Sequence, residues 1–128
     1  MIVKPLAPVM GAEILGLDLS EALDTATFEA IHQALLDHLV IVFRDQRLSP
    51  AQHVSFSKRF GDLMVHVKAE YLLPGQPEVL VLSNKKHSDG RPMGFEDAGR
   101  YWHSDMSYVE EPPLGSLLHA IEIPPEKG

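Results

Sequence analysis

The sequence has no cysteine. Disulfide scaffolds, thiolate zinc sites and cysteine nucleophiles are therefore excluded, and the absence fits a cytoplasmic protein. Basic residues are few: 11 Lys and Arg stand against 18 Asp and Glu, for a net charge of −7. They are scattered, and Lys85-Lys86 is the only lysine pair. Counterion release on a polynucleotide needs clustered cations, so no nucleic-acid partner is expected, nor a polybasic membrane patch. Long apolar runs are missing too. Leu39 to Phe43 is the longest and is far too short to cross a bilayer. The opening residues, Met1-Ile2-Val3-Lys4-Pro5, do not read as a signal peptide.

What remains is 128 residues, enough for one domain with a working core, and seven histidines. Without thiolates, any metal chemistry must rest on imidazole and carboxylate. Ile2 to Leu19, broken by Pro5, Pro8, Gly11 and Gly16, predicts short strands joined by turns. Asp24 is a candidate N-cap. Phe28, Ile31, Leu35 and Leu39 follow at helical spacing, which predicts a helix over 25–38. Leu39 to Phe43 reads as a buried strand. Ser49-Pro50-Ala51-Gln52 is a capping box with proline at the first helical position, opening a helix that stops at Gly61.

Val79 to Leu82 reads as a further buried strand. Ser83 to Tyr101 is rich in Gly, Pro and charge, and reads as a mobile loop of the kind that serves as a lid. Trp102 to Val109 and Leu114 to Ile123 read as strands separated by Pro112-Pro113, before a closing turn over 124–128. Strands with an apolar face need partners, and few are at hand. The chain therefore reads as an incomplete domain.

The smallest metal-binding unit available is His-x-Asp on a strand, where positions i and i+2 share a face. Seven His and 18 acids in 128 residues produce about one such pair by chance. Two occur. His87-Ser88-Asp89 precedes Gly90 and Pro92 and reads as a solvated turn. His103-Ser104-Asp105 lies in strand-like sequence. It suits either a metal pair or a buried His–Asp hydrogen bond.

Tyr101-Trp102-His103-Ser104-Asp105-Met106-Ser107-Tyr108, followed by Pro112-Pro113 and Gly115-Ser116-Leu117-Leu118-His119-Ala120, resembles the taurine dioxygenase and 2,4-dichlorophenoxyacetate dioxygenase family. Val40 to Gln46, Leu48 to Gln52 and Arg59-Phe60-Gly61 agree with its N-terminal half in order, as do Gly11 to Ile14 and Asp18-Leu19. The resemblance covers nearly the whole chain. It implies an α+β protein, a double-stranded β-helix or jelly roll with flanking helices, of which residues 1–128 are the N-terminal part of a single dioxygenase domain.

The resemblance further implies Fe(II) as metal and 2-oxoglutarate as cosubstrate, with O2 and a small anionic substrate of the sulfonate or aryloxyalkanoate type. The implied reaction is hydroxylation of a C–H bond, with succinate and CO2 as coproducts. His103 and Asp105 become the first two iron ligands. His66 would meet the substrate's anionic end, against a reading as a plain loop histidine. Met106 would line the substrate pocket, against simple core packing, and Tyr108 would approach the same site. Trp102 would shield the site or pack in the core. A second ligand histidine, a Thr and an Arg for 2-oxoglutarate are expected beyond Gly128; His119 falls on the next strand instead. Two other readings stand beside this one. The first is a non-catalytic relative that binds or forms a homo-oligomer. The second is a jelly-roll protein holding another ion, such as zinc.

Overall fold

The structure is a computed structural model that describes residues 1–123 and 125. It falls into two units, Met1–Phe60 and Gly61–Gly128.

In the first unit, β1 (Ile2–Pro5) pairs antiparallel with β2 (Ala12–Leu15), Ile2 opposite Leu15 and Pro5 opposite Ala12. The return between them closes through the Leu6 amide on the Gly11 carbonyl at 2.8 Å. Gly11 takes a φ of +93°, which an L side chain resists. β2 then pairs in parallel with β3 (Ile41–Val42). A parallel pair needs a crossover, and α1 (Thr25–His38) supplies it. Its bounds are those the periodicity predicts. The Asp24 carboxylate accepts from the Thr27 amide at 2.7 Å and caps it.

The predicted strand over 39–43 contracts to Ile41–Val42. Leu39 closes α1 instead, with its amide on the Leu35 carbonyl at 2.7 Å and a φ of 66°. Leu39 and Val40 are exposed and the strand is half-buried, so the expectation of a buried strand is also corrected. α2 (Pro50–Ser57) carries the full Ser49–Gln52 capping box and runs into a single 3-10 turn before Gly61.

The core of this unit is Ala12, Ile14, Leu19, Ile31, Ala34, Val54 and Phe56. Around it Phe43, Phe56, Phe60 and Phe28 meet edge to face, and the Arg59 guanidinium covers the Phe28 ring. Glu13 is buried on β2 and pairs with Arg44 at 2.8 Å, which compensates its desolvation.

In the second unit, β4 (Leu72–Leu73) and β5 (Gln76–Leu80) form an antiparallel hairpin turned at Gly75. The predicted buried strand over 79–82 thus begins earlier and ends at Leu80, because its partner is its own hairpin neighbour, and it is half-buried, with Leu82 exposed. Phe95 stacks on Tyr71 and donates its amide to the Val81 carbonyl at 2.8 Å. The stretch 83–101 contains no helix or named strand, as predicted, yet it is internally bonded. The Met93 amide meets the Lys85 carbonyl at 3.0 Å, and the His87 amide meets that of Arg91 at 2.8 Å.

The strands predicted over 102–109 and 114–123 do not form. Residues 105–108 are a turn, with Met106 at a φ of 53°. Neither segment has a ladder partner among the described residues, and an extended edge without one is not held. Leu118, Ile121 and Ile123 are accordingly exposed. Among the described residues of this unit only Gly94 is buried. The turn predicted over 124–128 lies outside the described residues, Pro125 excepted. No helix among the described residues is long and apolar enough to cross a membrane.

Candidate metal centre

His103 and Asp105 converge, but by a different route from the one their spacing suggests. A pleat would put both on one face; here the backbone over 102–104 is irregular, a turn starts at Asp105, and the Asp105 carboxylate meets the imidazole. His103 Nε2 stands 3.1 Å from Asp105 Oδ1. His103 Nδ1 lies 2.6 Å from the Tyr101 carbonyl oxygen. A carbonyl can only accept, so the Nδ1 proton is placed there and Nε2 is the nitrogen offered to the carboxylate side. The Tyr101 carbonyl raises the His103 pKa above its ordinary value; desolvation opposes it, and Asp105 adds more weakly to the rise.

The other Asp105 oxygen, Oδ2, accepts from the Ser116 hydroxyl at 2.6 Å. Both side chains of the pair are open to solvent, at 52% and 55% exposure. The expectation of a buried His–Asp pair is therefore corrected: the pair is hydrogen-bonded, but at the surface.

The donor set fits a divalent ion of the iron type. Imidazole nitrogen and carboxylate oxygen are its preferred protein ligands in the absence of sulfur. Two donors each about 2.1 Å from one ion and at right angles stand about 3 Å apart, which is the spacing observed, whether a proton or an ion sits between them. No group of three or more His, Cys, Asp or Glu side chains gathers among the described residues, and neither His119 nor any other side chain of those types joins the pair there.

The second His-Ser-Asp copy behaves as a solvated turn, as expected. Asp89 Oδ2 pairs with Arg91 Nε at 2.7 Å and its Oδ1 accepts the Arg91 amide at 3.1 Å. These hydrogen bonds hold the Asp89 pKa below the usual carboxylate value. Both carboxylate oxygens are spoken for.

Of the remaining predicted residues, Met106 and Tyr108 are brought together. The Tyr108 hydroxyl donates to Met106 Sδ at 3.1 Å, with Met106 half-buried and Tyr108 exposed. His66 is half-buried in an irregular stretch. Its Nδ1 accepts the Lys68 amide at 3.1 Å, so its hydrogen bond goes to a chain neighbour and not to His103, Asp105, Met106 or Tyr108. Trp102 is fully exposed. The core-packing expectation is corrected for it; with Gly99, Arg100, Tyr101 and His103 it lines an open concavity of about 490 Å³. Sequence reasoning missed Ser116 as a partner of Asp105. Its only signal was its place in the Gly115-Ser116-Leu117-Leu118 stretch.

Comparison with known proteins gives a consistent result. The family described as "Taurine catabolism dioxygenase TauD, TfdA family" matches residues 2–128. The alpha-ketoglutarate-dependent sulfate ester dioxygenase of Pseudomonas putida is 34% identical over 98% of this chain and 39% of its own length. The alpha-ketoglutarate-dependent 2,4-dichlorophenoxyacetate dioxygenase of Cupriavidus pinatubonensis is 29% identical over 100% of this chain and 48% of its own. This chain thus spans less than half the length of these curated relatives. The crystal structure of a taurine dioxygenase from Burkholderia xenovorans superposes with a TM-score of 0.54 and 42% identity, over 62% of this chain and 27% of that one.

Proposed function

The chain belongs to the taurine catabolism dioxygenase TauD, TfdA family, and from that footing we propose that His103 and Asp105 are two protein ligands of Fe(II) in a 2-oxoglutarate-dependent dioxygenase. The single observation that carries this reading is the approach of His103 Nε2 to Asp105 Oδ1 at 3.1 Å, with Nδ1 occupied by the Tyr101 carbonyl. The whole protein then hydroxylates a C–H bond of a small anionic molecule, with the sulfate ester and aryloxyalkanoate classes named for its relatives as the first to try. It is a jelly roll to which these residues contribute the N-terminal part.

His103 and Asp105 would hold Fe(II), which would supply the oxidising chemistry that couples loss of CO2 from 2-oxoglutarate to hydroxylation. The chain's own residues do the holding. The Tyr101 carbonyl fixes the imidazole tautomer and ring orientation. Asp105 contributes negative charge that offsets the ion's. Met106 and Tyr108, joined through sulfur and hydroxyl, stand next in the chain and are proposed to face substrate. His66, half-buried on the other side of the β4–β5 hairpin in sequence, is proposed to meet the substrate's anionic group. The segment 83–101 is proposed as a lid whose tip, His87 to Arg91, is internally bonded and moves as one piece.

Adding Fe(II) and then 2-oxoglutarate without oxygen to the whole protein should raise a weak visible charge-transfer band. His103→Ala should remove both the band and succinate formation. A second reading, a relative that binds without turnover, draws on the lack of a third ligand-type side chain beside the pair among the described residues. Absence of the band from the intact protein would select it.

A further inference from the structure

We propose that Ser116 is a positioning residue for the Asp105 carboxylate, holding one oxygen so that the other alone is offered beside His103; this rests on the iron reading above. The Asp105 carboxylate has two oxygens and a loose terminal torsion, so left to itself it turns freely. Here each oxygen has its own partner. Oδ1 faces His103 Nε2 at 3.1 Å, and Oδ2 accepts from Ser116 Oγ at 2.6 Å. The second contact is the shorter, as a hydroxyl-to-carboxylate bond should be. Together they fix the plane of the carboxylate.

The two halves of this clamp come from segments that no ladder joins. Ser116 lies eleven residues beyond Asp105, across Pro112-Pro113. The two prolines restrict the path between the turn and residue 116, which limits the entropy cost of bringing the hydroxyl to the carboxylate. Since both residues are solvent-exposed, water competes for Oδ2, and the contact is not forced by burial. Its value is directional.

The chemical consequence concerns how many positions on a bound ion the protein uses. A carboxylate with both oxygens free can take two adjacent positions. With Oδ2 engaged by a hydroxyl, Asp105 gives one, leaving more positions for the small molecules that a dioxygenase must bind side by side. Partners of ligands in this outer layer typically change metal affinity by about 10–100-fold when removed. Ser116→Ala deletes the donor and little else; Ser116→Thr keeps it.

The test uses the whole protein with two readouts. Crystal structures of wild type, Ser116→Ala and Ser116→Thr without metal show where the carboxylate points. Mn(II) titration followed by electron paramagnetic resonance reports affinity. We expect the Asp105 carboxylate to leave His103 in Ser116→Ala and to stay in Ser116→Thr. Mn(II) affinity should fall about tenfold in the first and remain near wild type in the second. A carboxylate unmoved in Ser116→Ala, or unchanged Mn(II) affinity in a protein whose His103→Ala variant has lost it, overturns the inference and leaves the iron reading standing. Equal Mn(II) uptake by wild type and His103→Ala overturns the iron reading and the positioning role of Ser116 together.

Discussion

Gly94 sits so close to Val81 that a methyl group on it would stand 2.7 Å from the Val81 carbonyl oxygen and 2.8 Å from the Ser83 amide. Backbone cannot yield there as a side-chain tip would, because the Phe95 amide bonds to that same Val81 carbonyl. Gly94→Ala should therefore cost about 1–3 kcal/mol by overpacking. Gly115→Ala is the control. Its added methyl meets nothing within 4 Å, and the effect should stay within about 0.5 kcal/mol. Urea unfolding of the two variants decides.

In the first unit the most sensitive side chain is Ile31, which is 0% exposed and central to α1 against β2. Ile31→Ala leaves a cavity and should cost about 2–5 kcal/mol. Leu36, five residues on, on another side of the helix and 52% exposed, loses little when cut to Ala, since the helix favours Ala. A difference in thermal midpoint between the two variants measures this; equal losses would mean the face of α1 has been misassigned.

The contrast between the units explains what the sequence revealed and what it did not. α1 and α2 carry their signals locally. The Asp24 cap, the Ser49–Gln52 box and helical spacing each act within a few residues, and both helices appear where they predict. Strands depend on partners far away. Ile41–Val42 finds β2 and survives as a short piece; residues 102–109 and 114–123 find none among the described residues and take turns and irregular backbone instead. The pairing of His103 with Asp105 was legible because i and i+2 can meet in either a pleat or a turn. The hold of Ser116 on Asp105 was not, since it bridges two segments whose relative placement no local pattern encodes.

Asp24 gives the first unit an acid-sensitive cap. Hydrogen bonds from Thr27, backbone before side chain, set its pKa below the ordinary carboxylate value of 3.8 against an opposing desolvation, with a weaker contribution from the charge of Arg59. A group lowered on folding stabilises the fold above its unfolded pKa and loses that contribution as pH falls through the folded one. Unfolding free energy should therefore decline on acidification through and below about pH 4. Asp24→Asn keeps the cap but removes this ionisation, so its acid decline should be shallower. An identical acid limb in both proteins, followed by circular dichroism, would rule out the cap as its source.

The two His-Ser-Asp copies make opposite predictions from the same three letters. Asp89 has both oxygens bound by Arg91, one by the amide and one by the guanidinium. An ion placed there must first break a charge-assisted pair and would gain only one free ligand, the His87 ring. Among the described residues no Lys or Arg pairs with Asp105, and the Ser116 hydroxyl leaves Oδ1 directed at His103 Nε2. An ion placed there need only part His103 Nε2 from Asp105 Oδ1. His103→Ala and Asp105→Asn should each lower Fe(II) uptake of the whole protein at neutral pH by at least tenfold, whereas His87→Ala and Asp89→Asn should leave it within about twofold of wild type. Anaerobic Fe(II) titration of the four variants separates these outcomes. Uptake that depends on His87 and not on His103 would move the proposed metal centre to the other copy.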